Sequence, residues 1–386
     1  AQAGAAMNRK YAFLACGLLV TGPLVTISAN LMDNTSALGS QAAGTVWGHL
    51  EREAEQNHRF DHPFFQAACM FLAQSACLVA HCVVRRHTSG RGLSAECGCR
   101  KLCERAELWL ALPAICDMLG VGSLYAGLCL TYASVCEMIR CSASLVFTTL
   151  FSAVFLRRRV YWFQWLGVLF SAVGIFVVSH VSTREDASST KESPTVLLGN
   201  MLILLSQVLI ATQICVEDHM APARATPALK LVGAEGFWGV LAMCCLLVPM
   251  QFITVQGQPI ENIPDAFCQL RNSGVLTTAL ILYIVGVVLW NFLGISIAES
   301  MDASHGMIID SLRTVVVWVV SVSIGWEKFR PLQVIGFVLM IFGACVHGRV
   351  FTLPCVSYPP LLQQEAYLRG GPQEADCGSF LRSFHA

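Results

Sequence analysis

Charge is scarce in this chain: Asp, Glu, Lys and Arg make up only 13% of its 386 residues, and the two signs cancel at 25 acidic and 25 basic. Soluble domains carry charge at about 25% of positions, so the shortage points away from water. Zero net charge leaves no global field that would recruit nucleic acid or an acidic partner. Catalytic signatures are missing too. The sequence has no His-Glu-x-x-His helix, no Gly-x-Ser-x-Gly elbow and no Walker loop, which argues against an enzyme, a bound cofactor or an ATP-driven pump. A disulfide framework is also lacking. Of eighteen cysteines, most fall inside apolar runs, where they read as small packing residues.

What the chain has in excess is apolar surface: 55% of residues are hydrophobic and the mean hydropathy is +0.59. Runs near the length needed to cross about 30 Å of hydrocarbon occur at 11–32, 63–84, 108–130, 135–156, 161–180, 196–216, 231–253, 274–297, 304–325 and 330–350. The expected fold is therefore an all-α polytopic membrane protein with ten transmembrane helices. The six residues before Met7 are left out of the fold reading. The first run extends to Met32, longer than a secretory signal core, and reads as a span.

Basic residues alternate between connections. With the N-terminus in the cytosol, sixteen loop lysines and arginines fall inside and seven outside, which predicts cytosolic termini. An internal repeat is visible as well. Gln164-x-x-Gly167-x6-Gly174 recurs as Gln333-x-x-Gly336-x6-Gly343, each after a tight hairpin, a long apolar run and a short basic turn. The polar stretch at 181–195 then divides a first five-helix repeat, 11–180, from a second, 196–350, ahead of a cytosolic tail at 351–386. Five spans is an odd number, so the halves enter the membrane from opposite sides, the inverted architecture of secondary transporters.

Charges inside the spans are the candidates for function. Glu137 and Arg140 share the fourth span, and Asp310 and Arg313 the ninth. In each case an acid precedes an arginine by three residues, so both groups lie on one face and can pair. Either the arginines only neutralise their acids and pin the helices, or the pairs line a solute path in which the arginines meet an anionic or zwitterionic group. Asp117, with no base within a turn of its own helix, suits proton coupling, or else bonds to Arg140 or a neighbouring hydroxyl. Asn291, Gln213, Gln207 and Glu235 are further polar groups in apolar surroundings, and such groups serve as interhelical glue or as ligands.

Outside the membrane, Cys97, Cys99 and Cys103 lack the fourth ligand of a structural zinc site, so no metal is expected; lipidation or plain exposure fits better. Asn34-Thr-Ser is a glycosylation acceptor on the non-cytosolic side. Tyr358-Pro-Pro-Leu361 has the pattern of an endolysosomal sorting signal. Gly336 and Gly343 suit close packing, within one chain or across a homodimer.

The stretch from Leu112 to Ala126, Met138-Ile-Arg140, Gln164-Trp-Leu-Gly167, Gly236 to Pro249, Asp265-Ala-Phe-Cys268, the run from Ile309 to Trp318, and Gly325-Trp-Glu327 together resemble the drug/metabolite transporter (EamA-like) superfamily. Within it they resemble the F subfamily of solute carrier family 35, related to the nucleotide-sugar transporters. The likeness covers residues 10–350. It implies two inverted five-helix halves, a central cavity and alternating access. It also implies lysosomal or other endomembrane residence, with mitochondrial association known among relatives. It transfers no settled substrate. Where the subfamily pattern has glutamine before Met138, this chain has Glu137, which weakens a purely anionic cargo. The expected function is secondary-active transport of a small polar or charged metabolite, such as a nucleotide conjugate. The alternative is a scaffold or receptor that binds a partner through its cytosolic loops.

Overall fold

The structure is a computed structural model that describes residues 2–40, 45–47, 57–88, 110–157, 160–184, 193–219, 227–255, 258–298 and 303–349. Apolar chain in hydrocarbon must satisfy its own backbone hydrogen bonds, and here it does so as helices. In order these are α1 (Gln2–Asp33), α2 (Pro63–Thr88), α3 (Ala111–Leu130), α4 (Ala133–Val154), α5 (Trp162–Ser182), α6 (Ser193–His219), α7 (Ala228–Met250), α8 (Ile263–Asn272), α9 (Gly274–Ala298), α10 (Ala303–Ile324) and α11 (Pro331–His347).

Among the described residues, eight helices are long and apolar enough to cross a bilayer: α1 to α7 and α9. The runs expected at 304–325 and 330–350 are the helices α10 and α11, the latter a shorter apolar helix of 17 residues. Large apolar side chains line the outside of the bundle, Phe13 at 74% exposure and Phe176 at 71% among them. A soluble protein would not leave so much apolar surface in water; lipid covers it.

Two features were invisible to hydropathy. The α1–α2 connection folds back as an antiparallel ladder, β1 (Ser36–Leu38) with β2 (Asn57–Arg59). The α7–α9 connection carries a second ladder, β3 (Thr254–Val255) with β4 (Gln258–Pro259), and the short helix α8. Chain that packs on helix ends must still pair its backbone groups, and at these lengths the pattern is too brief to register. The two connections meet at one end of the bundle, here called the capped end. Asn272 Nδ2 donates to the Leu38 carbonyl at 2.8 Å, Trp47 Nε1 to Ile260 O at 2.9 Å, and Val46 N to Pro259 O at 3.1 Å.

Helix pairing is regular: α1 lies on α9, α2 on α7, α3 on α6 and α5 on α11, while α4 packs on α5 and α6 and touches α10. Small residues set the closest of these contacts. The glycines of the internal repeat face one another across α5 and α11. A Cβ on Gly167 would sit 2.6 Å from Gly343 O, one on Gly343 2.6 Å from Gly167 O, and one on Gly174 2.7 Å from Gly336 O. Gly336 and Gly343 thus serve packing within this chain. The α3–α4 turn is fixed differently. Glu327, from the α10–α11 turn, accepts the Ser134 N–H at 2.9 Å and the Ser134 hydroxyl, and Gln333 Nε2 donates to that hydroxyl oxygen at 3.1 Å. The carboxylate thereby sits at the start of α4, where unpaired N–H groups and the helix dipole favour negative charge.

The core follows from this pairing. It is one continuous cluster from Met32 and Phe60 at the capped end through Phe71, Tyr125, Met138 and Ile139 to Tyr283, Val317 and Met340. The backbone contact at Gly167 has no slack, so Gly167→Val destabilises the protein by about 1–3 kcal/mol through overpacking. Gly274→Ala, where nothing lies within 4 Å of an added Cβ, leaves stability unchanged. Melting of the detergent-solubilised variants, followed by fluorescence-detected size exclusion, checks this contrast.

Candidate functional site

The three-residue spacing of Glu137 and Arg140 puts both on one face of α4, and Asp310 and Arg313 share a face of α10 in the same way. The two faces meet. All four side chains are buried, with exposures of 3%, 3%, 3% and 6% in the order Glu137, Arg140, Asp310, Arg313. Arg140 donates to its own neighbour, Glu137 Oε2, through Nε at 3.2 Å and Nη2 at 3.1 Å, and across to Asp310 Oδ1 at 3.1 Å. Arg313 donates across to Glu137 Oε1 at 2.8 Å and lies 3.6 Å from Asp310 Oδ1. Each acid thus touches both arginines and each arginine both acids. The quartet is a closed ring of alternating sign with no net charge.

Two other helices contribute. Thr26 of α1 donates to Glu137 Oε1 at 2.5 Å and accepts from Arg313 Nη2 at 3.2 Å. Trp290 of α9 lies under the Arg313 guanidinium, 4.6 Å from the ring centroid, a cation–π contact that gains strength when desolvated. One donor remains: among the described residues Arg313 Nε has no hydrogen-bond partner. On α9, Asn291 spends its Nδ2 on Val287 O at 2.8 Å, and its Oδ1 is without a partner among the described residues. Buried polar groups are seldom left so.

The other expected site residues fall elsewhere. None of the quartet contacts above involves Asp117, Gln213, Glu235 or Asn291. Asp117 is buried on α3 and feels the charge of Glu217 on α6, an acid rather than Arg140. Gln213, also buried, is on α6, and Glu235 is on α7 between Gly233 and Gly236, which pack on α2. Asn34 is exposed just past α1, yet its Nδ2 donates to Asn30 O at 2.8 Å and the Thr35 hydroxyl to Leu31 O at 2.6 Å. The sequon therefore caps the helix as it stands. Cys97, Cys99, Cys103, Tyr358 and Leu361 lie outside the described residues. Among those described, no group of three His, Cys, Asp or Glu is placed to hold a metal.

Sequence reasoning missed Thr26, a lone hydroxyl within an apolar run that nothing marks, and Trp290, one of many aromatics. It also passed over Tyr125 and Tyr283, whose hydroxyls meet at 2.5 Å between α3 and α9.

Residues 42–180 match the EamA-like transporter family. Over 342 residues the chain is 35% identical to solute carrier family 35 member F6 of Homo sapiens, covering 87% of this chain and 88% of that protein. This chain belongs to the F subfamily of solute carrier family 35. The rat member F6 is 36% identical over 357 residues, 89% of this chain and 91% of that protein. An uncharacterized protein of Schizosaccharomyces pombe is 27% identical over 75% of this chain and 87% of its own length. A solved structure described only as the crystal structure of a protein aligns over 88% of this chain and 96% of that one, with a TM-score of 0.50 at 15% identity, a likeness of fold alone. Membership makes the chain an integral membrane protein of a transporter family, and family members are named as solute carriers rather than enzymes.

For this solute carrier family 35 protein the ring makes a stability prediction. Removing one member of a buried ion pair strands the other, at a cost of about 3–5 kcal/mol. Arg140→Met is therefore strongly destabilising, whereas Arg140→Met combined with Asp310→Leu leaves the Glu137–Arg313 pair intact and recovers much of the loss. Melting temperatures of the two single variants and the double, compared as a cycle, measure the coupling.

Proposed function

We propose that this protein is a secondary-active transporter that carries a small polar or charged metabolite by alternating access, with the quartet at the centre of the path. The observation that carries this reading is the position of the ring. It joins α4 to α10, which we read as the fourth spans of two five-helix units, 11–180 and 196–350, in a ten-span inverted arrangement. Helix pairing supports the same division. The contact of α1 with α10 has a counterpart in α4 with α6, and that of α2 with α9 in α3 with α7, as a two-fold relation between units requires. Both termini, including the tail at 351–386, are placed in the cytosol on the distribution of basic residues. Residence in a lysosomal or other endomembrane is part of the same proposal, supported by the Tyr358–Leu361 tetrapeptide.

Neutrality of the ring bears on the cargo. To enter, a solute must replace the two cross-helix contacts, Arg140 with Asp310 and Arg313 with Glu137. A lone anion would leave a buried net charge, which is costly in hydrocarbon. A solute bearing both signs, such as an amino acid or a nucleotide conjugate with a cationic group, exchanges for both contacts and keeps the site neutral. Asp117, near Glu217 and away from the arginines of the ring, is the candidate carrier of a coupling proton. A second reading, a non-transporting scaffold, draws on the near-complete pairing of the quartet, which would equally lock a static fold.

Uptake into proteoliposomes, screened over nucleotide sugars, amino acids and organic cations with and without a proton gradient, separates the two. The transport reading expects saturable uptake of a solute carrying both signs, reduced at least about tenfold, the loss expected for a contact worth about 1.4 kcal/mol, in the folded double variant Arg140→Ala, Arg313→Ala. Uptake untouched by that variant removes the ring from the path. No uptake of any solute favours the scaffold.

A further inference from the structure

We propose that a histidine–carboxylate cluster joining the α1–α2 and α7–α9 connections is a proton-operated clasp that holds the capped end of the bundle shut. The cluster lies outside the spans and apart from the quartet. His62, immediately before α2, has Nδ1 2.6 Å from Glu261 Oε1 and Nε2 3.5 Å from Asp265 Oδ2. His58 of β2 puts its Nε2 2.7 Å from the same Asp265 oxygen. His62, Glu261 and Asp265 are essentially sealed from solvent, at 1%, 0% and 0% exposure.

The carboxylates are fixed by backbone as well. Glu261 Oε2 accepts the N–H groups of Phe64 and Phe65 at 3.0 and 3.3 Å, which ties it to the first turn of α2. Asp265 Oδ1 accepts the Ser40 N–H at 2.5 Å. That approach needs Gly39, since a Cβ there would lie 2.5 Å from the same oxygen. Both connections are thus held by one cluster, and its polar bonds are those of a latch rather than of a metal site: among the described residues no three ligands are placed for a metal.

Two carboxylates around one buried imidazole demand a proton on it. Burial alone would push the His62 pKa down, but the charges of Glu261 and Asp265 and their hydrogen bonds outweigh it and raise it to about 9. Burial likewise works to raise Asp265, and the bonds from His58, His62 and the Ser40 N–H overcome it to hold the carboxyl well below the usual range. These are the groups that face the switch: Glu261 and Asp265 act on His62, and both histidines act on Asp265.

With the clasp open, His62 is an ordinary solvated histidine that titrates near pH 6.5. Its contribution to closure is complete below about pH 6.5 and is lost as the pH rises through about 9. Raising the pH from 5 to 7.5 therefore weakens His62's contribution to closure about tenfold. Acid on the capped side tightens it. The role as a gate rests on the transport reading, in which the two connections belong to different units that must part at this end. The proton dependence of the clasp does not.

Amide hydrogen exchange on the full-length protein in nanodiscs, corrected for the intrinsic effect of pH on exchange, reads the opening equilibrium of residues 57–62 and 258–272 directly. Protection in the wild type should fall about tenfold from pH 5 to pH 7.5, while peptides of the α5–α11 contact stay level, and His62→Gln should abolish the slope. Equal protection at both pH values in the wild type overturns the proposal without any variant, as does a slope that survives His62→Gln. The expected slope in a protein that moves no solute leaves the clasp standing and removes the transport reading instead.

Discussion

Four charges buried between α4 and α10 set the terms for the rest of the bundle. In hydrocarbon an uncompensated charge costs several kcal/mol, so once Glu137, Arg140, Asp310 and Arg313 occupy these faces the two helices must meet, and meet in register. A shift of α10 by one residue would carry Asp310 and Arg313 off the shared face. α1 supplies the Thr26 hydroxyl and α9 the Trp290 ring to the same point, so four helices converge on it. Such rings seldom add much net stability over a well-packed apolar core. What they add is specificity of helix pairing and, on the transport reading proposed above, a set of bonds that a solute can replace.

Around that centre, close packing and polar caps divide the work. Glycines let α5 and α11 approach backbone to backbone, as small residues do at helix contacts in membranes. The capped end is held instead by hydrogen bonds and ion pairs: Glu327 on the start of α4, and Glu261 and Asp265 on the two histidines. Polar contacts of this kind can be exchanged for water or protons; a glycine seam cannot.

Much of this was legible in the sequence, and the limits have physical causes. Hydropathy located the helices because hydrocarbon leaves no alternative to them, and α1 to α7 and α9 fall on the expected runs. The acid–arginine spacing identified the quartet members, since charge inside a span is rare enough to stand out. It did not reveal that the two pairs form one ring, because a tertiary contact between α4 and α10 leaves no local pattern. Asp117 illustrates the same limit: its isolation on α3 was readable, whereas its neighbour Glu217 on α6 was not. The cap was hidden altogether. Its ladders are two or three residues long, and His58, His62, Glu261 and Asp265 are scattered over two loops that only the fold brings together. Gln164 and Gln333 show the converse, a repeat signal that was visible while its use was not. One folds back on the Tyr161 N–H at the start of α5; the other reaches Ser134 at the start of α4.

On the transport reading, a transported solute takes the place of the cross-helix bonds in the ring. An electron cryomicroscopy structure of the protein loaded with a solute that it carries tests this most directly. The expected result is solute density between Arg140 and Arg313, with the Arg140–Asp310 and Arg313–Glu137 contacts opened beyond hydrogen-bonding distance and the Arg140–Glu137 contact within α4 retained. Solute bound elsewhere with all four contacts intact would contradict it and leave the quartet a structural lock.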